Sequence, residues 1–370
     1  MSRHRRLGTV VAALALLGWS QAWAQDPVCA APEPVCAARG AVFAIGSAFD
    51  PLASAVRIGP DLLVTNRHVM ADEARAEVRL PDGRSLTAEV VPSGYPGDLV
   101  LLRVAGLGEG PVLERGAADA DSELFTIGMD IASRRVRAYA PGHLILAPAP
   151  GHGLARLYHS AQSHPGNSGG ALVDGAGRLV GIVAAGGEGR NEAIPARDLG
   201  PLLAESGPGY AEASRARGAA TRACIVALES AASRLTELLA ETLERDCPES
   251  GNRQLLDLAA QALGRAARSD RAIALFERAL AEDPHAINAR IGLVVTLHLA
   301  RRFEASATHL DWLLDVAPSD LQVLRMATLS AKFGGNEPLG QRVLELMEAH
   351  HPAMAPAARK FLSAPLDPTQ

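Results

Sequence analysis

The 370-residue chain is 48% apolar and 21% charged, a globular composition that excludes bulk disorder. Its formal net charge is −5, and no long run of Lys or Arg follows the first few residues, so an electrostatic footprint for nucleic acid is absent and such a partner is not expected. At roughly 150 residues per domain, the length accommodates two domains.

The N terminus pairs a positive start, Arg3, Arg5 and Arg6, with an apolar run from Leu7 to Trp19 and the small-residue site Ala22-Trp23-Ala24. This pattern predicts a secretory signal peptide over residues 1–24 and a periplasmic or secreted mature chain, since the run is too short to cross a bilayer comfortably. No later run approaches the length of a membrane-spanning helix, so no stable span is expected after signal cleavage. Residues 25–40 form an N-terminal extension. Export permits disulfides, and the four cysteines, Cys29, Cys36, Cys224 and Cys247, allow three pairings. If residues 224–247 formed one continuous helix, a rise of about 1.5 Å per residue would put its two cysteines out of reach of each other. Either this segment is a hairpin closed by its own bridge, or its cysteines pair with Cys29 and Cys36.

Residues 41–203 contain short apolar runs rich in Val, Ile and Leu, punctuated by Gly and Pro, such as DLLVTN, DLVLLRV, ELFTIG and GRLVGIVAA. Many short strands with frequent turns predict an all-β barrel or sandwich. Three segments in it carry candidate chemistry. LLVTNRHVM places His68 just after a strand, YPGDLVLLRV places Asp98 at the head of another, and SHPGNSGGALV places Ser168 between glycines. A G-x-S-x-G pattern occurs in more than one hydrolase fold. An α/β-hydrolase would place its acid and histidine after the serine and surround it with βαβ units. Here the partners lie upstream.

The boundary follows in the Gly/Pro/Ser-rich stretch ESGPGYAEASRARG, read as a linker over residues 204–216. Beyond it, apolar residues three and four apart predict amphipathic helices: a packing helix or helical hairpin over 217–250, repeats over 251–357 and a tail over 358–370. Pro284, Pro318 and Pro352 recur at a step of 34 residues. Ala272, Phe276, Ala279 and Pro284 give the first unit a small, bulky, small, proline pattern, and Ser306, Leu310, Leu313, Leu324, Ala327, Gly340 and Leu344 mark the weaker second and third. This period and pattern resemble the tetratricopeptide family, whose stacked helix pairs imply a concave surface for a protein or peptide partner.

The order His68, Asp98, Ser168, with T-x-x-H-V, D-L-V-L-L-R-V and P-G-N-S-G-G around them, resembles the chymotrypsin-like serine proteases. AIPARDL, Ala193 to Leu199, resembles the closing segment of the Deg/HtrA branch. The expected fold is therefore a multi-domain β + α chain, a chymotrypsin-like double β-barrel followed by an α-helical tetratricopeptide-like solenoid. The resemblance implies a catalytic triad, with His68 as general base and acid, Asp98 orienting it and Ser168 as nucleophile. It also implies an oxyanion hole from the N–H groups of Gly166 and Ser168. Gln162, Ser163, His164, Ala184, Ala185 and Gly186 would line the substrate pocket, with no acid to attract a basic side chain; small or medium uncharged residues are the expected preference. Asn167 stands where animal trypsin-like enzymes have an aspartate that pairs with a newly cut N terminus, so activation by clipping is not implied. Ala184 stands where they have a serine supporting the catalytic aspartate, which leaves Asp98 one donor short. The expected function is an exported serine endopeptidase acting on polypeptides, with no metal or organic cofactor. A protease-like binding protein without activity is the alternative.

Overall fold

A short helix opened by prolines, α1 (Glu33–Ala38), precedes β1 (Val42–Gly46), β2 (Ala53–Gly59) and β3 (Leu62–Thr65). A one-turn helix α2 (Arg67–Met70) leads to β4 (Arg75–Arg79), β5 (Ser85–Val91) and β6 (Val100–Val104). Paired in the order β1-β2-β3-β6-β5-β4, with β1 also bonded to β4, these strands close into an antiparallel barrel. The computed structural model describes residues 29–365 apart from Glu188. The expected signal peptide and the end of the expected tail lie outside the described residues.

Side chains alternate across a strand, and here the two sets serve different cores. Phe43, Ile45, Ala55, Leu63, Val100 and Leu102 fill the first barrel. Their neighbours Val42, Val56, Val64, Leu99 and Leu101 face the other way and pack with Phe125, Ile127, Ala171 and Ile182 of a second barrel. That barrel comprises β7 (Glu123–Asp130), β8 (Arg135–Ala138), β9 (Gly142–Leu146), β10 (Leu157–His159), β11 (Ala171–Asp174), β12 (Leu179–Ala185) and β13 (Asn191–Pro195). The order is β11-β12-β13-β10-β9-β7-β8, and a β11–β7 pairing closes six of the strands, leaving β8 at the rim. The expected double barrel is present, with its seam made by the period-2 pattern.

Helices follow: α3 (Leu199–Ala204), α4 (Ala211–Ala231), α5 (Glu237–Glu249), α6 (Arg253–Arg265) and α7 (Ser269–Glu282). Next come α8 (Ile287–Leu299), α9 (Ala307–Val316), α10 (Leu321–Phe333), α11 (Glu337–His350) and α12 (Ala355–Ser363). The linker expected over 204–216 differs: α3 ends at Ala204, a 3-10 turn covers Pro208–Tyr210 and α4 starts at Ala211, so only residues 205–207 are non-helical. Gly218, at the start of the packing helix expected over 217–250, lies where α4 meets α2. A Cβ there would come within 2.5 Å of the Ala71 carbonyl oxygen, so this glycine permits close packing rather than mobility.

Helices α4 and α5 form a hairpin closed by Cys224–Cys247, with Cα atoms 4.9 Å apart; this resolves the alternatives open in the sequence. Closing a loop of that length contributes about 3 kcal/mol by the chain-entropy argument. Cys29 and Cys36 are also disulfide-bonded, and no cysteine is free. Beyond the hairpin, α6, α8, α10 and α12 begin at residues 253, 287, 321 and 355, a constant step of 34. Pro284, Pro318 and Pro352 each fall two residues after the second helix of a pair. Phe276 is fully buried against Gly292, where a Cβ would approach its ring to 2.5 Å.

Candidate active site

His68 sits in α2, directly after β3, and Asp98 directly before β6, its hydrogen-bonded neighbour in the first barrel. The Asn66 side chain and the Arg67 N–H both donate to the Asp98 carbonyl, at 3.1 and 3.3 Å. The Asp98 carboxylate in turn receives the His68 backbone N–H on Oδ1 at 2.9 Å and the imidazole Nδ1 on Oδ2 at 2.8 Å. Asp98 is 1% exposed. A lone pair on Nδ1 would repel that carboxylate, so the tautomer is Nδ1–H, which leaves Nε2 as the basic atom.

Burial works to lower the His68 pKa, but the charge of Asp98, the hydrogen bond to it and the charge of Asp50 outweigh burial, and the net shift is upward. The loop leading to Asp98 is fixed from behind. Tyr95 OH donates to Asp198 Oδ2 at 2.9 Å, and a Cβ on Gly97 would collide with the Tyr95 ring.

Ser168 lies between the barrels, in the turn before β11. Its carbonyl accepts from Ser54 N of β2 at 2.9 Å. Gly169 (φ +79°) lies so close to the first barrel that a Cβ would come within 2.2 Å of Ser54 O and Thr65 Oγ1. Gly166 (φ +92°) needs the left-handed region that favours glycine, and a Cβ there would meet Met129 O at 2.8 Å. Its carbonyl is tied to Ser54 Oγ at 2.7 Å. Asn167, 1% exposed, holds the loop from inside: Nδ2 donates to Met129 O at 3.0 Å and Oδ1 accepts from His164 N at 2.7 Å. The Gly166 and Ser168 N–H groups donate to no protein acceptor among the described residues. Ser168 Oγ and His68 Nε2 likewise have no hydrogen-bond partner there, so the serine–histidine link is open. Catalytic hydrogen bonds commonly tighten only with substrate bound.

The expected pocket residues divide. Ser163 lies beside Gly186, where a Cβ would come within 3.9 Å of its own, and Ser163 Oγ shares a hydrogen bond with Thr126 at 3.1 Å. Gln162 instead pairs with Ala140, and the His164 ring lies 5.2 Å from that of Tyr139. Ala184 is buried, while Ala185 and Gly186 open onto a cavity of about 530 Å³ whose far side is α6, α8 and α10, with Asp257, Asn288 and Gln322. Asn191, which sequence reasoning missed, holds the pocket wall. Its Nδ2 donates to Ala161 O at 2.7 Å and its Oδ1 accepts from Gly187 N at 3.1 Å.

His159, in β10, is fully buried and neither ring nitrogen has a partner among the described residues. Burial pushes its pKa down to about 4, so it is neutral in the folded chain at neutral pH. Because the unfolded chain takes up this proton near the ordinary value of 6.5 and the folded chain does not, stability falls as pH drops from 6.5 towards 4. The loss is about 3 kcal/mol across that window. Urea unfolding of His159→Leu at about pH 7 and about pH 4.5 should show a smaller acid loss than wild type; an equal loss would remove His159 as the cause.

Residues 53–182 match the family model of the trypsin-like peptidase domain. The chain is 30% identical over 138 residues to the serine protease Do-like HtrA of Lactobacillus helveticus, covering 34% of this chain and 32% of that protein. It is 31% identical over 129 residues to the serine endoprotease DegS of Escherichia coli K12, covering 32% and 35%. The chain thus spans about a third of the length of these curated relatives. Among solved structures, an HtrA-type protease AlgW with a tripeptide is 30% identical, covering 44% of this chain and 59% of that one, with a TM-score of 0.40.

Proposed function

We propose that the trypsin-like peptidase domain of this chain is that of an exported serine endopeptidase, which hydrolyses peptide bonds through Ser168, His68 and Asp98. The observation that carries this reading is the buried Asp98 carboxylate, which takes both the backbone N–H and Nδ1–H of His68 and leaves Nε2 as the base. In the reaction Ser168 Oγ attacks the scissile carbonyl carbon while its proton passes to Nε2. The carbonyl oxygen becomes an oxyanion facing the Gly166 and Ser168 N–H groups, each worth about 3 kcal/mol in the transition state. The imidazolium then protonates the departing amine. Water, deprotonated by Nε2, releases the acyl group and restores Ser168.

Asn167 supports an enzyme that needs no clipped N terminus, since its side chain is already satisfied by Met129 and His164. Small or medium uncharged residues before the scissile bond suit a pocket bounded by Ser163 and Gly186. The 34-residue step of the helices supports tetratricopeptide-like repeats that recruit polypeptide substrates or protein partners, and the cavity between Ala185–Gly187 and α6, α8 and α10 suits an extended chain. All four cysteines being disulfide-bonded fits an extracytoplasmic compartment. Among the described residues no helix is long and apolar enough to cross a membrane.

A fluorophosphonate probe, with casein and a simple ester as substrates, tests the reading. Labelling of the wild-type chain and cleavage of casein are expected. An unlabelled wild-type chain would leave the non-catalytic binding protein as the better description, and ester turnover without casein cleavage would mark a different acyl hydrolase.

A further inference from the structure

The Asp98 carboxylate has a third donor, and it comes from the helical region. Asn252, the N-cap of α6, lies 154 positions along the chain, yet its Nδ2 is 2.8 Å from Asp98 Oδ2 and 3.0 Å from His68 Nδ1. The amide orientation is fixed by its other end, because Oδ1 accepts the Leu255 backbone N–H at 2.8 Å and so Nδ2 must face the carboxylate. With Nδ1 already protonated towards Asp98, the two donors converge on Oδ2. Asn252 is 4% exposed.

We propose that Asn252 is a positioning residue of the active site, supplied by the helical region to hold the Asp98 carboxylate, and through it the His68 ring, in the catalytic orientation. This rests on the triad reading above. The position would be capped equally well by Ser or Asp, and nearly as well by Thr. Asn alone among them accepts the helix N–H through one atom and offers an amide donor to a carboxylate through another, whereas Asp would set a second negative charge against Asp98. Ala184, buried on β12, has only a methyl group and supplies no donor.

The segment that presents Asn252 is docked against the Asp98 loop. Gly251 (φ +68°) lies so close that a Cβ would come within 1.9 Å of Pro96 O, and Arg217 Nη1 donates to the same oxygen at 3.1 Å. Ser250 Oγ bonds Cys247 O at 2.6 Å and receives Asn252 N at 3.1 Å, so the turn is tied to the bridged hairpin. Arg222 of α4 bonds Asp72 and Glu73, just beyond the His68 helix. The helical region therefore completes the arrangement around His68 as well as flanking it.

The full-length chain tests this through two variants that keep the cap. Asn252→Ser shortens the side chain by one atom and withdraws the amide donor from Asp98, its hydroxyl being taken up by the cap; kcat should fall about 10- to 100-fold, as expected of a small misplacement of a reacting group, with KM nearly unchanged and fluorophosphonate labelling slowed in parallel. Asn252→Asp keeps both cap and volume but adds a carboxyl beside Oδ2, so the acid limb of kcat/KM should move to higher pH. The other charges that act on His68 are Asp98, Asp50 and Arg156, with the buried Arg67 beside Asp98, and neither variant alters them. Wild-type kcat in Asn252→Ser together with an unmoved limb in Asn252→Asp would reduce Asn252 to a helix cap. Should Asn252→Ser fail to fold, the limb in Asn252→Asp decides alone. Failure of the triad reading is distinguishable, because the wild-type chain itself would then be neither labelled nor active.

Discussion

Ser168→Ala is expected to lower kcat on a peptide substrate by about a million-fold while leaving the thermal melting point nearly unchanged. On the proposed mechanism the loss is that of the nucleophile: without Oγ no acyl-enzyme would form, and what would remain is binding and the oxyanion donors acting on a water-mediated reaction. The fold is spared because Ser168 contributes to packing through its backbone. Its carbonyl holds Ser54 N, a bond alanine keeps, whereas Oγ has no partner among the described residues. Gly166 and Gly169, with their positive φ values and close contacts to Met129 and Ser54, are untouched, so the loop retains its course. Measured kcat, probe labelling and a melting curve check the expectation together. Turnover near the wild-type rate in a variant that no longer takes the probe would place the chemistry elsewhere.

The triad candidates were legible because each stands beside a local signal: a strand before His68, a turn before Asp98, glycines around Ser168. The all-β character of the first half followed from short apolar runs between turns, its double barrel only from the family resemblance, and the helical region from periodicity and the recurring prolines. Asn252 was not legible. Its surroundings, Ser250-Gly251-Asn252, announce a helix start, and capping would account for it fully. Only tertiary docking sets its other face on Asp98, and no sequence period encodes what lies opposite a cap. The same holds for Arg67, fully buried with Nη1 3.5 Å from Ser214 O of α4 and Nη2 3.4 Å from Leu99 O. Burial lowers its pKa to about 10, so it stays charged. In the sequence it looks like any polar residue preceding a histidine. The shorter linker has the same origin: Gly, Pro and Ser over 204–216 suggest a loop, but α4 already starts at Ala211 and buries Ser214.

Asp98→Asn is expected to reduce kcat by about four orders of magnitude at neutral pH with the fold intact. An asparagine amide could present its N–H to Nδ1, which would favour the Nε2–H tautomer and leave no lone pair for the Ser168 proton. The pH dependence separates this from a packing defect. In the wild-type chain burial acts to lower the His68 pKa, and the Asp98 charge and hydrogen bond, aided by Asp50, raise it beyond that, to a net position above the ordinary imidazole value of 6.5. Activity requires the neutral ring, so the acid limb of kcat/KM should lie above that ordinary value. Removing the Asp98 charge leaves burial unopposed by its main counterweight, and the limb of the residual activity should move to lower pH. The Asn252 amide adds a second consequence: once Asp98→Asn replaces the carboxylate, two amides meet where one carboxylate oxygen, Oδ2, took two donors. Asn252→Ser in the Asp98→Asn background should then cost much less in kcat than it does in the wild-type chain, because the group that Asn252 holds is no longer an anion. A double-mutant cycle on kcat measures that coupling; full additivity would mean that Asn252 and Asp98 act independently.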